Sequence, residues 1–210
     1  VIKFHHSMQN ILPFVWNGFR SSVKYTYLLK DIHKKETNLL ENLSSNTRKN
    51  IKKAEKTLEV FESVDITKLY ELIELTFQRQ SLKVPYSKEV LHNLFKTCQS
   101  KGLSKILMAK DSAGNIHSGI LLIWNEKTVY YLVGGSDPRY RKSEAMTLIM
   151  WESVKFASSF AQEFDFEGTM VESIERFIRG FGATQHPYFQ ISKVKPSFLK
   201  PLFEKKYNLS

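Results

Sequence analysis

The stretch VKYTYLL, Val23 to Leu29, is β-branched and aromatic and predicts a strand. The polar run after it turns helical from about Ser44. In LSSNTRKNIKKAEK, residues Arg48, Lys49, Lys52, Lys53 and Lys56 fall within an arc of roughly 140°, while Thr47, Ile51 and Ala54 take the opposite face. One face is basic and the other is fit for burial. A short strand, TLEVFES, ends near Ser63, and Asp65 is placed to cap a helix carrying Ile66, Leu69, Tyr70, Ile73 and Phe77 at i, i+3, i+4 spacing. A second helix starts at Ser87 with the stripe Val90, Leu91, Leu94, Phe95 and Cys98, and Lys101-Gly102 closes it. Three strands follow, Leu103 to Ala109, Ile116 to Trp124 and Thr128 to Gly134, joined by the turns DSAGN and NEKT as an antiparallel meander.

Beyond VGGSDPRYRKSEA, Met146, Leu148, Ile149, Trp151, Val154 and Phe156 make the helix from about Ser143 to Phe160 apolar on most sides, which predicts a central helix lying on the sheet. A strand over Gln162 to Phe166, a helix over Val171 to Gly180 and a last strand over Tyr188 to Lys193 complete the pattern. From Thr57 the order reads β-α-α-β-β-β-α-β-α-β, with no repeat and no linker rich in Pro, Gly or Ser. The pattern alone puts any domain boundary near Glu62. The first twenty residues, with FHHSMQNILPFVWNGFR, read as aromatic and loop-like, as in a piece cut from a longer protein.

Composition narrows the partners. A chain of 210 residues with 42% hydrophobic and 13% aromatic content fills a core of one large or two small domains. Thirty-one Lys and Arg against 21 Asp and Glu give a net charge of +10, which favours an anionic partner: nucleic acid, a phosphate-bearing cofactor, anionic lipid or an envelope precursor. The single Cys98 offers no disulfide partner, and no CxxC or HExxH pattern stands near His5 and His6, so no metal site is expected. No apolar run approaches the roughly 20 residues that span a bilayer, and the expected compartment is the cytoplasm.

The element order, with two early helices, a three-stranded meander and a long helix directly after its third strand, resembles the GNAT acyltransferase fold. That is an α+β fold with a mixed, mostly antiparallel sheet. NTRKNIKKAEK before a strand, TFQRQ, YYLVGGSDP before the long helix, and FDFEGTMVESIERFIRGFGA together resemble its Fem-like branch, whose members carry paired GNAT-like domains. PFVWNGFRSSVKYTY is similar to the end of the first domain in that group. The resemblance implies that residues 1–56 are the C-terminal part of a first GNAT-like domain, 57–194 a complete second one, and 195–210 an extension packing back.

It also implies a function. The expected reaction is N-acyl transfer, acetyl transfer first, from acetyl-CoA or another acyl-CoA to an amine on a small molecule or cell-envelope precursor such as a sugar nucleotide. Fem-type enzymes take the acyl group from aminoacyl-tRNA, which makes tRNA the alternative donor. A basic protein with a degenerate GNAT fold, binding without catalysis, is the third reading. In GNAT enzymes the donor lies along the strand before the central helix and its pyrophosphate meets that helix's N-terminus. Carried over, this assigns Val133, Gly134, Gly135 and Ser136 to the donor, followed by Arg139, Arg141 and Lys142 in SDPRYRKSEA, which has no glycine.

The remaining candidates come from chemistry. Asp165 and Glu167, two apart on a predicted strand, would share a face where one serves as general base, while Glu167 or Thr169 equally suits a cap on the next helix. Tyr131 is a candidate general acid. Arg79 suits a substrate or phosphate contact, and Trp16, Arg20 and Tyr25 suit an acceptor cleft, although aromatics at this density equally suit core. No histidine has a sequence partner that marks it as catalytic.

Overall fold

The computed structural model describes residues 1–34 and 36–193; the expected extension 195–210 lies outside the described residues. Among the described residues one eight-stranded sheet runs through the molecule in the order β1-β8-β2-β7-β6-β5-β4-β3. In chain order the elements are β1 (Ile2–Lys3), α1 (Leu12–Trp16), β2 (Arg20–Lys30), α2 (Glu36–Asn42), α3 (Ser45–Ala54), β3 (Leu58–Ser63), α4 (Ile66–Gln78) and α5 (Lys88–Gln99). Then come β4 (Ser104–Asp111), β5 (Ile116–Trp124), β6 (Thr128–Ser136), a short 3₁₀ turn at Pro138–Ser143, α6 (Ala145–Ser158), β7 (Glu163–Asp165), α7 (Glu172–Arg179) and β8 (Thr184–Ser192). Every pairing is antiparallel except β6 with β7, so the sheet is mixed and mostly antiparallel, as expected.

Both faces of the central strands are covered, and the two-residue period decides which side chain goes where. Leu107, Ala109, Ile120 and Leu122 pack with Leu148, Ile149 and Val154 of α6 and with Ile51 and Ala54 of α3. Ile106, Met108 and Leu121 point the other way, against Ile66, Leu69 and Ile73 of α4 and Leu91 and Phe95 of α5. Each fully buried Leu, Ile, Met or Phe among them contributes about 1.5–3 kcal/mol. Short polar side chains start the helices: Thr47 N donates to Ser44 Oγ (3.1 Å), Lys68 N to Asp65 Oδ1 (2.9 Å) and Val90 N to Ser87 Oγ (3.3 Å).

Three boundaries differ from the sequence reading. The central helix begins at Ala145 because Glu144 takes the left-handed conformation (φ 62), and the residues before it wind as a 3₁₀ turn. The last strand starts at Thr184, four residues early; Pro187 hides it in the pattern but lies where β1 no longer pairs with β8. The strand at 163–165 is shorter than expected, because Phe166 N bonds to Tyr27 O of β2 while Glu167 turns the chain away (φ 62).

Candidate active site

Strands β6 and β7 pair only over Thr128–Tyr130 against Glu163–Asp165. From there β6 runs on to Ser136, while the chain after Asp165 follows β2, so residues 131–136 have no strand partner on that edge. The strands part, and a wedge opens between them. On its other edge β6 carries a bulge: Leu121 faces Val133 and Leu122 faces Tyr131, which leaves Leu132 over. The extra residue reverses the alternation. Tyr131 packs on the α6 side, but Leu132 and Val133 both reach the α4 side, and Gly134 lies back against Ile120.

The expected donor residues divide. A Cβ on Gly135 would stand 2.2 Å from the carbonyl carbon of Leu72, so this glycine is what lets α4 lie on β6. The backbone NH and C=O of Ser136 both bond Thr76 Oγ1 of α4 (2.9 and 3.3 Å), and its hydroxyl accepts from Ser118 Oγ (2.8 Å). Val133 and Gly134 stay on the open edge, with the Tyr131 hydroxyl 2.8 Å from where a Cβ on Gly134 would sit. Burial pushes the Tyr131 phenol up to about 12, so it is a proton donor and not a base near neutral pH.

The start of α6 is electrostatically unlike a pyrophosphate cradle. The Arg139 guanidinium forks onto Asp137, Nη2 to Oδ2 at 2.6 Å and Nε to both oxygens at 3.0–3.1 Å, which holds the Asp137 carboxyl below its ordinary range. The Glu144 carboxylate, at the N-cap of α6, accepts from Thr147 Oγ1 (3.2 Å) and makes no bond to the NH groups of the first turn. Arg141 and Lys142 are exposed, and the Lys142 carbonyl accepts from Lys53 Nζ of α3 (2.7 Å).

Asp165 and Glu167 are neighbours, but not as same-face strand residues. Asp165 is 4% exposed, and its Oδ1 accepts from Thr26 Oγ1 (2.5 Å) and from Glu167 N (2.8 Å). Burial raises its pKa, against the Thr26 and Glu167 hydrogen bonds and the nearby His6 and His5. Glu167 is also raised, first by desolvation of its carboxyl and then by the Asp165 charge, with Lys3 opposing. Neither Glu167 nor Thr169 caps α7, whose N-cap is Val171 without a side-chain bond. Gly168 lies flat on β2, where a Cβ would meet Tyr25 O at 2.3 Å.

Of the other candidates, Arg79 is exposed at the C-cap of α4, three residues beyond the Thr76 that bonds Ser136, and so stands at the open end of β6. Trp16 is 75% exposed, and Arg20 pairs with Ser192, six residues along β2 from Thr26 and hence about 20 Å away. Tyr25 packs on the α6 side, the face opposite Asp165.

Sequence reasoning missed the histidines. Pairing of β1 with β8 brings His5 and His6 beside His186, with ring centroids 4.0 Å apart for His5–His6 and 6.0 Å for His6–His186. His186 is the β8 partner of Thr26, whose hydroxyl holds Asp165. Burial lowers the pKa of both His6 and His186, leaving neutral bases at pH 7. Only the His-His dipeptide marked the place in the sequence; the rest depends on strand pairing. Among the described residues no group of three His, Cys, Asp or Glu is arranged to hold a metal.

Residues 43–171 match the family model described as the acetyltransferase (GNAT) domain. The chain belongs to the GNAT acyltransferase family. Solved structures carry the same fold at low identity. One is FemX, with a TM-score of 0.70, 16% identity and 93% of this chain aligned to 70% of that one. Another is L-PGS from Bacillus licheniformis, with a TM-score of 0.57, 10% identity and coverage of 92% and 67%. A tandem GNAT protein from the clavulanic acid biosynthesis pathway scores 0.55 at 11% identity, with 90% and 60% covered. No curated protein matches. The likeness to FemX is one of fold, and no helix among the described residues is long and apolar enough to cross a membrane.

Proposed function

We propose that this GNAT domain transfers an acyl group, acetyl first, from acyl-CoA to the amine of a small molecule or cell-envelope precursor such as a sugar nucleotide. The observation that carries the reading is the parting of β6 from β7. It leaves backbone groups of Tyr131 to Gly134 free to line a thioester and to meet the oxyanion that develops on its carbonyl. Tyr131 supplies an un-ionised hydroxyl for the departing thiolate. Asp165, with His6 and His186 on the same sheet face, supplies acceptors for the amine proton. A CoA donor places the reaction in the cytoplasm. We assign residues 1–56 to the end of a first GNAT-like domain and 57–194 to the second, with β2 of the first lying in the sheet of the second between β7 and β8.

A second donor, an aminoacyl ester of tRNA, is favoured by the start of α6, where Glu144 stands at the N-cap and Arg139 is held by Asp137. Thermal unfolding separates the two. A ligand at about 100 times its Kd adds roughly 2.7 kcal/mol, several degrees for a chain of this size. Acetyl-CoA raising the midpoint by that amount, with thiol release in the presence of an amine, supports the first donor. No shift, together with transfer from charged tRNA, supports the second, and transfer from neither donor overturns acyl transfer altogether.

A further inference from the structure

Helix α3 carries a charged groove that the acyl-transfer chemistry leaves unused. It is an open depression of about 520 Å³ along one helix face, lined by Ser45, Arg48, Lys49, Lys52, Lys53 and Lys56. All five cations are exposed, no acidic side chain lines the groove, and among the described residues none of the five is paired with a carboxylate. From Arg48 to Lys56 the stripe runs about 12 Å along the axis. Five like charges so close repel one another, and a ligand that neutralises them gains what the fold does not supply.

The groove adjoins the start of the central helix. Lys53 Nζ donates to the Lys142 carbonyl, two residues before Glu144. The exposed cations of α3 thus stand beside the start of α6. We propose that the α3 groove binds a phosphate chain, taking the place of the α6 N-terminus as the site for the donor's phosphates. The shared chemistry is a run of phosphates, and two sources carry it: the nucleotide end of coenzyme A and the phosphodiester backbone of an RNA. A bilayer does not fit. Interfacial helices hold an apolar face toward lipid, and here Thr47, Ile51 and Ala54 are buried against the core.

This deepens the acyl-transfer reading and rests on it for the ligand's purpose, but the test is binding. Fluorescence anisotropy with labelled coenzyme A, a labelled RNA hairpin and phosphatidylglycerol vesicles is measured for the full chain at several salt concentrations. The double variant Lys49→Glu/Lys52→Glu is set against Lys88→Glu/Lys96→Glu on α5, which changes net charge equally, and circular dichroism checks that both fold. Binding of coenzyme A or RNA weakened about tenfold or more by the α3 reversals, and much less by those on α5, is expected; which probe binds names the source, and a steep salt slope marks RNA. Equal losses in both variants, binding to vesicles alone, or no binding of either phosphate probe overturns the proposal. Phosphate binding without acyl transfer to any amine refutes the reaction and leaves the groove. Turnover unaltered by the α3 reversals refutes the groove and leaves the reaction.

Discussion

At the residue scale, Asp165 is held by its neighbours more tightly than an ordinary surface acid. Thr26 and the Glu167 NH converge on one carboxylate oxygen, fixing the side chain and the left-handed turn at Glu167 together. Burial outweighs those bonds and raises its pKa above the ordinary 3.8. A carboxyl whose folded pKa is raised costs stability while ionised, and that cost disappears as pH falls through the folded value. Asp165→Asn keeps an oxygen for both donors and removes the buried charge. The expected outcome is turnover down about a hundredfold or more with little loss of stability at pH 7. Relative to the variant, the wild-type chain gains stability as pH falls. Midpoints of urea unfolding from pH 7 down to pH 4, beside initial rates, check both; unchanged turnover removes Asp165 from the mechanism.

At the element scale, the position of α4 depends on one missing methyl group. Leu72 and Ile73 approach β6 so closely that a Cβ on Gly135 would lie 2.2–2.3 Å from their backbone, and Thr76 then bonds both backbone groups of Ser136. Gly135→Ala is expected to push the helix off the strand, at a cost of about 1–3 kcal/mol for the overpacking. Denaturant midpoints measure this, and a loss below about 0.5 kcal/mol would mean that the helix moves freely. The sequence showed α4 through its Asp65 cap and its apolar spacing, and showed the α3 stripe through its period. Gly135 and Ser136, read there as donor contacts, are committed to α4. Close approach of helix to strand leaves no local pattern.

At the scale of the whole molecule, β2 lies between β7 and β8 and bonds both. Its Tyr27 and Leu29 belong to the core under α6, and its Thr26 holds Asp165. A chain beginning at Thr57 would therefore lose the strand that joins β8 to the rest of the sheet. Such a truncation is expected to lose near-ultraviolet circular dichroism and cooperative unfolding, and a cooperative transition like that of the full chain would show that 57–193 stands alone.

The GNAT order entered as a resemblance, while the helices α3 to α7, the strands β2 to β8 and the Asp65 helix cap were legible in the sequence by itself. Those features rest on spacing within a few residues, and a period of 2 or 3.6 is written locally. Only the tertiary structure decided that β6 parts from β7 after three pairs, that His6 and His186 stand on the face of Asp165, and that Glu144 turns left-handed at the start of α6. It also decided that, among the described residues, the α3 cations pair with no carboxylate. Register across strands and contacts between residues far apart in the chain depend on which surfaces bury together. That is a competition settled over the whole molecule, and no short stretch of sequence records its result.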